Sequence, residues 1–282
     1  MSKPHGASAP KTKTIARRAS REPRRTLSPD KAKHALTAAL RVGTSGWHYE
    51  DWRGPFYPAD MSPKDFLSFY VEHFNTMEIN NSFYHLPTEK AVKAWHDTAP
   101  EGFVFAWKVS RFITHIKRLQ DVGDSITLVF ERMGGLEQAF GPALFQLPPS
   151  FAAKPENRDR LVQCLDLLPK KRRCVFEFRH ASWFEDETFH LLSNHNVAFC
   201  ISDHVDAPAP WVTTADFVYV RGHGIQGRYT GRYDTETLRA WGRSIAEFRR
   251  EGRDVYVYFD NDVKCAAPRD AETLLSLSAK EN

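Results

Sequence analysis

From Leu40 onward, short runs of β-forming residues alternate with amphipathic helical patterns. Turn residues or helix-start signals bound each run, so the pattern predicts eight strands. They are Leu40–Thr44, Thr76–Asn80, Phe103–Val109, Ala143–Leu147, Cys174–Phe178, Val197–Ser202, Phe217–Arg221 and Val255–Phe259. Eight strands with intervening helices in about 245 residues are typical of an α/β fold of the (β/α)8 type, a TIM-like barrel. Periodicity alone leaves an open doubly wound sheet as the alternative.

Helix-start signals stand between several of these strands. They are Ser62-Pro63 before an apolar stretch, Thr88 before Glu89–Asp97, Thr235 before Glu236–Arg250, and Pro268 before Arg269–Lys280. Proline suits the first turn of a helix, and serine or threonine suits the residue before it. The stretch His204–Ala215 contains Pro208 and Pro210 and has no helical pattern. The barrel is therefore predicted to have one irregular unit, between the sixth and seventh strands.

Polar residues occur near the C-terminal ends of strands whose other positions are apolar. They are Glu78, Asn80, Lys108, Gln146, Glu177, Arg179, Arg221 and Asp260. Side chains alternate along a strand, so each strand has one apolar face and one face that ends in a polar group. Buried charges are costly unless they are paired, and Glu78 and Glu177 are available to pair with Lys108 and Arg221. Barrel enzymes carry their active sites at this end, which favours a site over a purely structural plug of charges.

Composition limits the class of protein. The 282 residues are 41% hydrophobic, enough for a substantial core, and no run of 18 apolar residues predicts a membrane span. The four cysteines are widely spaced, without a CxxC or metal-binding pattern. We therefore expect reduced core cysteines, a cytoplasmic location and no membrane partner.

The positive charge of the chain lies in its N-terminal segment. Residues 1–33 contain ten Lys and Arg against two acids, or +8, whereas the rest has 29 against 33, or −4. Residues 1–36 have almost no large apolar side chains, so we expect a disordered basic tail before a single barrel domain of residues 37–282. The tail predicts weak contact with polyanions such as nucleic acid, with an organellar transit peptide as an alternative.

Seven sequence motifs occur in the order found in the DUF72 family, also called YecE-like proteins, which this chain resembles. They are GTSGWHYEDWRGPFYP (Gly43–Pro58), FNTMEINNSFYHLP (Phe74–Pro87), FAWKVSRFITH (Phe105–His115), FQLPPSF (Phe145–Phe151), FEFRHASW (Phe176–Trp183), YVRGHG (Tyr219–Gly224) and VYVYFDND (Val255–Asp262), the last followed by APRDA. The resemblance covers roughly residues 40–280 and implies a TIM-barrel-like fold. It supplies no reaction, because the family's biochemical role is unassigned, so function must be argued from the site.

Three of the strand-end residues are candidates for catalysis. Glu177 and Glu78 could form a general acid/base pair if their surroundings separate their pKa values. Lys108 could instead form a Schiff base with a carbonyl substrate, if desolvation lowers its pKa. The alternative for all three is that they form neutralising ion pairs with each other and with Arg221.

The other candidates are predicted to bind substrate. Arg179, Arg221 and Lys108 would hold anionic groups, while Asn80, Gln146 and His223 would supply hydrogen bonds. Tyr258 and Asp260 of the last strand are added to this set. Trp47 and Tyr84 could stack on a sugar or base, although such aromatic residues could equally cover the barrel rim.

A glycine-rich loop follows the seventh predicted strand. Gly222, Gly224 and Gly227 spell GxGxxG, but no helix pattern follows, which argues against dinucleotide binding. Loops at this place in barrels often bind phosphate, and Arg228 adds charge, so the loop predicts either an anion site or a mobile lid.

No cofactor is predicted, and a divalent metal stays a weaker alternative. Residues of types that bind divalent metals lie at strand ends: Glu177, Asp203, His204, His223 and Asp260. No pair of them has a spacing diagnostic of a metal site, and the nearby Lys108 and Arg221 would repel a cation.

The leading hypothesis is a non-redox enzyme, a hydrolase, isomerase or lyase, acting on a small anionic or polyhydroxylated substrate. A metal-dependent barrel of the sugar-isomerase or endonuclease type is the second hypothesis. A non-catalytic ligand-binding or RNA-associated module, tethered to polyanions by its tail, is the third.

Overall fold

The structure is a computed structural model that describes residues 38–279, and the predictions for the tail of residues 1–36 lie outside it. Its eight strands are all parallel, in the order β1-β8-β7-β6-β5-β4-β3-β2. They are β1 Leu40–Thr44, β2 Thr76–Ile79, β3 Val104–Lys108, β4 Phe140–Gln146, β5 Cys174–Glu177, β6 Ala198–Ser202, β7 Phe217–Gly222 and β8 Asp254–Phe259. The predicted (β/α)8 barrel is confirmed. β4 begins three residues earlier than its sequence pattern indicated.

Seven α-helices lie within the described residues. They are α1 Phe66–His73, α2 Glu89–Thr98, α3 Gly123–Gly134, α4 Pro155–Asp166, α5 Asp186–Asn194, α6 Thr235–Arg250 and α7 Ala266–Ala279. Short helical turns also occur in the loops: 3-10 turns at Glu50–Trp52, Pro63–Asp65, Asn81–Phe83, Glu137–Ala139, Ala181–Trp183 and Val263–Cys265, and a π-helix at Phe112–Ile116. No helix within residues 38–279 is both long and apolar enough to cross a membrane.

Two helix starts differ from the sequence interpretation. α6 is capped by Asp234, whose carboxylate accepts a hydrogen bond from Thr237 N at 2.7 Å, so Thr235 is already helical. α7 begins at Ala266, and Pro268 lies inside its first turn, where its missing N–H costs nothing. The Thr88 cap of α2 is confirmed by a 3.2 Å hydrogen bond from Ala91 N.

The connection between β6 and β7 contains no helix, as predicted. It is held instead by Thr214, whose hydroxyl donates to Val197 O and accepts from Phe199 N, both at 2.7 Å. The proline-containing chain is thus fastened to the start of β6 by a side chain.

Apolar side chains fill two regions, one between the strands and the helices and one inside the barrel. The inner region combines small residues such as Ala106 and Cys200 with the large rings of Tyr219 and Tyr258. Tyr258 is fully buried, and its hydroxyl lies 2.6 Å from Thr76 Oγ1. This packed layer supports the polar residues at the C-terminal end of the barrel.

The barrel closes between β1 and β2 largely through side chains. The strands share one backbone bridge, between Ser45 and Glu78. The Tyr70 hydroxyl accepts from Thr44 N at 2.8 Å and donates to Thr76 O at 3.2 Å, so it links the two strands. Gly43 leaves room for this approach, because a Cβ there would lie 2.2 Å from Thr76 O.

Replacing Tyr70 by Phe should weaken this closure. The change removes one hydroxyl and leaves the buried Thr44 N without its partner, so we expect the free energy of unfolding to fall by about 1–3 kcal/mol. Urea denaturation measures the difference. Tyr84→Phe is the matched control, because Tyr84 is 61% exposed and should change stability by less than about 0.5 kcal/mol. Equal stability of the two variants would contradict a role for Tyr70 in closure.

Candidate functional site

Arg221 of β7 lies at the centre of a buried ion-pair cluster. Its guanidinium binds Glu78 through Nη2–Oε1 at 2.8 Å and Nε–Oε2 at 3.1 Å. Nη1 donates to Glu177 Oε2 at 3.0 Å, and Nη2 also donates to Asp260 Oδ2 at 2.8 Å. Arg221, Glu78 and Glu177 are all fully buried. One arginine therefore joins residues from β2, β5, β7 and the end of β8.

Glu177 is ionised and fixed in this cluster. A second arginine, Arg179, binds its Oε1 at 2.7 Å, and Ser202 donates to the same oxygen at 3.2 Å. Burial alone would raise the pKa of Glu177, but the charges of Arg179 and Arg221 outweigh it and hold that pKa well below its usual range. A carboxylate in this state is a weak proton acceptor and is not available as a proton donor.

Glu78 is held by as many partners. Besides Arg221, it accepts hydrogen bonds from the Tyr219 hydroxyl at 2.5 Å and from the Ser45 hydroxyl. Asn80 in turn donates to Ser45 Oγ at 2.8 Å. The direct Glu–Arg contacts predicted from the sequence are present, and each carboxylate is tied in place by several donors.

His223 connects the two arginines to Asp203. Its Nε2 faces Arg179 Nη2 at 3.0 Å and Arg221 Nη1 at 3.2 Å, so this nitrogen accepts. Its Nδ1 lies 3.1 Å from Asp203 Oδ1 and donates to it. Because the ring is fully buried, His223 acts here as a spacer that orients the arginines.

A cavity of about 570 Å³ opens at the C-terminal ends of the strands. Four of the predicted strand-end residues line it: Asn80, Lys108, Gln146 and Asp260. The predicted aromatic residue Tyr84 lines it as well. The remaining lining residues are Tyr49, Phe83, Arg111, His115, Tyr229 and Asp262. The predicted convergence of strand-end residues is therefore present, but Glu78, Glu177, Arg179, Arg221 and His223 are not among the lining residues and are buried.

Lys108 enters the cavity without an acidic partner. Its Nζ lies 4.4 Å from the centre of the Phe83 ring, and it forms no ion pair with any residue from 38 to 279. Burial and the positive charge of Arg221 lower the pKa of Lys108 to about 8, although three carboxylates oppose the shift. An appreciable fraction of this amine is neutral at slightly alkaline pH.

Asp262 is the second group with a pKa near neutrality. Its Oδ1 is buried and has no hydrogen-bond partner among the described residues, while Trp52 Nε1 fixes its backbone carbonyl at 3.0 Å. Burial and the neighbouring carboxylate of Asp260 raise the pKa of Asp262 to about 8. Asp262 is therefore largely protonated at pH 7, whereas Asp260 is bound to Arg221.

The π-helix after β3 contributes one more polar wall. It carries His115, and Arg111 directly precedes it; both side chains line the cavity. Burial, together with the charges of Lys108 and Arg111, lowers the pKa of His115 to about 4. His115 is thus a neutral imidazole at pH 7. Single π-helical turns are often found at functional sites.

Two predicted binding residues lie elsewhere. Tyr258 points into the barrel core below the ion-pair cluster, where its hydroxyl contacts Thr76, so it does not line the cavity. Trp47 packs edge-on against Trp95 of α2, with ring centres 6.2 Å apart, and covers the barrel rim. Alternation along a strand shows which face a residue shares, but not how deep that residue lies.

Two backbone N–H groups of the glycine-rich loop after β7 form hydrogen bonds within the protein. Gly224 N donates to the Tyr233 hydroxyl at 2.8 Å, and Gly227 N donates to Gly224 O at 2.6 Å. A Cβ on Gly224 would lie 2.1 Å from Thr230 O, so glycine is needed there for close packing. The N–H groups of Gly224 and Gly227 therefore already have partners, and anion binding by this loop stays a prediction.

The residues considered for a metal do not form a cation site. Arg179 and Arg221 bind the two oxygens of Glu177, and Arg221 also binds Oδ2 of Asp260. One oxygen of Asp203 binds His223 and the other binds Tyr233. Within residues 38–279, no group of three or more His, Cys, Asp or Glu side chains is arranged to hold an ion. The donor set therefore fits an arginine-centred cluster and not a divalent cation.

Six lining residues were not among the site candidates, and three of them carry a charged or imidazole side chain: Arg111, His115 and Asp262. All three lie in motifs quoted above, directly after strands β3 and β8. Their position after a strand end was a usable signal. Which residues of those loops turn inward depends on the π-helix and on the turn after β8, neither of which has a clear sequence pattern.

The fold and the cavity define a (β/α)8 barrel protein with a ligand-sized site at the C-terminal ends of its strands. The family model described as "Protein of unknown function DUF72" matches residues 41–282, so the chain belongs to the DUF72 family.

The names of two relatives state no activity. The UPF0759 protein YunF of Bacillus subtilis is 26% identical over 269 residues, which are 84% of this chain and 94% of that protein. The UPF0759 protein YecE of Escherichia coli K12 is 32% identical over 118 residues, 42% of this chain and 43% of that protein.

Solved structures of the family agree with the fold. A DUF72 family protein from Thermotoga maritima matches with a TM-score of 0.78 and 29% identity, covering 86% of this chain and 100% of the other. One from Enterococcus faecalis matches with a TM-score of 0.75 and 20% identity, covering 85% and 95%.

Glu177→Gln should lower stability, because it leaves two buried arginines short of a negative charge. We expect the free energy of unfolding, measured by urea denaturation, to fall by about 3 kcal/mol. Glu50→Gln is the control: Glu50 binds Arg53 at 2.7 Å but its side chain is 63% exposed, so its loss should change stability by less than about 1 kcal/mol. Unchanged stability of Glu177→Gln would show that the cluster does not depend on this charge.

Proposed function

We propose that this DUF72 protein is a cytoplasmic, non-redox enzyme that binds a small anionic or polyhydroxylated substrate in the C-terminal cavity. One observation carries the proposal: Lys108 and Asp262, both with a pKa of about 8, line the same cavity. Groups with strongly shifted pKa values in a cleft are typical of sites that transfer protons. The four cysteines, all buried and free, are consistent with a reducing compartment.

The proposed binding groups are those that face the cavity. Lys108 and Arg111 attract an anionic group, while Asn80 and Gln146 offer amide hydrogen bonds to hydroxyls. Asn80 Oδ1 is buried and has no hydrogen-bond partner within residues 38–279, so it is able to accept one from a ligand. The exposed ring of Tyr84 is placed to cover the ligand from the rim.

Asp262 is the proposed general acid, and Asp260 the carboxylate that assists it. The two acids lie in unlike surroundings, because Asp260 is ion-paired with Arg221 whereas Asp262 forms no ion pair within residues 38–279. Such a difference separates the roles of two carboxyl groups. Glu78 and Glu177, the acid/base candidates from the sequence, are assigned to positioning Arg221, because both are fully buried and ion-paired.

Ligand binding by wild-type and variant proteins tests this proposal. Sugar phosphates, sugar acids and small oxo acids would be screened by thermal shift, and each stabilising compound would be incubated with the protein and analysed for products by mass spectrometry. Removing a cation from the cavity should weaken anion binding, so Lys108→Met and Arg111→Ala should each raise Kd at least tenfold, about 1.4 kcal/mol.

Lys64→Met is the matched control, because Lys64 is exposed and is not among the residues that line the cavity. If a ligand binds all three variants with wild-type affinity, its binding site lies outside this cavity. A ligand that depends on both cations but is never converted would favour a binding module over an enzyme.

The protonation of Asp262 predicts a pH-dependent contribution to stability. The ordinary pKa is 3.8 and the folded value is about 8, so between these values the folded protein holds one more proton at this site than the unfolded chain. The contribution is fully present below the unfolded pKa and is lost as pH rises through the folded pKa.

Comparison with Asp262→Asn isolates this effect. From pH 5 to 7, the free energy of unfolding of wild type should fall relative to the variant by about 1.4 kcal/mol per pH unit. All other ionisable groups are the same in both proteins, so their contributions cancel in the difference. Parallel pH profiles, measured by urea denaturation, would show that Asp262 is ionised in the folded protein.

A further inference from the structure

Lys108 has different surroundings from the two buried arginines at this end of the barrel. Arg179 and Arg221 are each held by carboxylates at 2.7–3.0 Å. Lys108 contacts the face of Phe83 instead and forms no ion pair within the described part of the chain. A lysine used only to balance charge would be expected to contact a carboxylate, and Glu78, Glu177 and Asp260 are already bound to arginine.

The position of Lys108 suits attack on a bound molecule. It is the last residue of β3, and its partly exposed side chain lines the cavity between the β2 loop, which carries Phe83, and the π-helix. Asp262 lines the same cavity from the β8 loop. Nucleophilic lysines are typically desolvated and lie close to another cationic group, as Lys108 does beside Arg221.

We propose that Lys108 forms an imine with an aldehyde or ketone substrate that also carries an anionic group. This rests on the proposed function, since it names the substrate class of the same cavity. Arg111 binds the anionic group, and the amides of Asn80 and Gln146 hold neighbouring hydroxyls or the carbonyl oxygen.

The step balances without any further reagent. The lone pair of the neutral Lys108 amine forms a bond to the carbonyl carbon, and the C=O π electrons move to oxygen, which takes a proton from nitrogen. The resulting hydroxyl takes a second proton, from the Asp262 carboxyl, and leaves as water while the nitrogen lone pair forms C=N. Neutral amine, carbonyl compound and carboxylic acid thus become protonated imine, carboxylate and one water.

An imine narrows the reaction class. The positively charged C=N withdraws electrons from the adjacent carbon, which favours breaking a C–H or C–C bond there. The inference therefore selects a lyase or isomerase from the classes that the sequence left open, and the Asp262 carboxylate formed in the first step becomes the base that accepts a proton.

Reductive trapping tests the inference on the full chain. The probes are glyoxylate and dihydroxyacetone phosphate, each added with sodium borohydride, which converts an imine into a stable secondary amine. Peptide mapping by mass spectrometry should find labelling of the Lys108 peptide at least tenfold above any peptide with an exposed lysine. Lys108→Arg should abolish that labelling, whereas the surface control Lys64→Arg should not change it.

The wild-type protein provides a readout that does not depend on how a variant folds. Labelling of Lys108 should rise with a midpoint near pH 8, while exposed lysines follow their ordinary pKa of about 10.4. Labelling spread evenly over surface lysines, or a midpoint for Lys108 near 10.4, would overturn the imine proposal. The proposed function would still stand if a ligand from the thermal-shift screen required Arg111, and would fail separately if none did.

Discussion

The guanidinium of Arg221 is the constraint on which the C-terminal end of the barrel depends. A fully buried arginine is tolerated only when its charge is balanced and its N–H groups have acceptors. Three carboxylates, from Glu78, Glu177 and Asp260, meet that requirement from three different strands or strand ends. Because the same contacts join β2, β5, β7 and the end of β8, charge balance and barrel geometry are set together. Ser45 of the β1–β2 closure also binds this group, at 3.0 Å.

The protonation of the residues that line the cavity depends on which carboxylates pair with Arg179 and Arg221. Arg179 and Arg221 bind the nearby carboxylates, so among the described residues Lys108 has no acidic ion-pair partner and Asp262 has no cationic one. Each then responds to burial in the way expected of an isolated group: the amine loses proton affinity and the carboxyl gains it. In the proposed function, an amine and a carboxyl group that both titrate near pH 8 are a useful pair for reactions at a carbonyl carbon. The ion-pair cluster would contribute to that function indirectly, because it withholds counter-charges from the residues that line the cavity.

Barrel architecture is a weak guide to the reaction. One architecture hosts many chemistries, so the fold by itself does not select a reaction. In this chain, the carboxylates at the strand ends are bound to Arg221. The groups proposed to react or bind lie at the end of β3 and on the loops after β3 and β8. Function is therefore argued from Lys108, Arg111 and Asp262.

The sequence by itself determined the eight strands, the irregular unit after β6 and the convergence of polar residues on one end, because these follow from local periodicity and from the parallel direction of strands. The order of the strands and the closure of the barrel came from the tertiary structure. It did not determine which polar residues face solvent. Glu177 and Lys108 occupy equivalent strand-end positions in the pattern, yet one is fully buried and the other lines the cavity. That difference comes from depth within the barrel and from competition for Arg221. The pKa of Asp262 depends on the turn after β8, which places its carboxyl beside that of Asp260. Burial and the distances between charges set a pKa, and both exist only once the chain is folded.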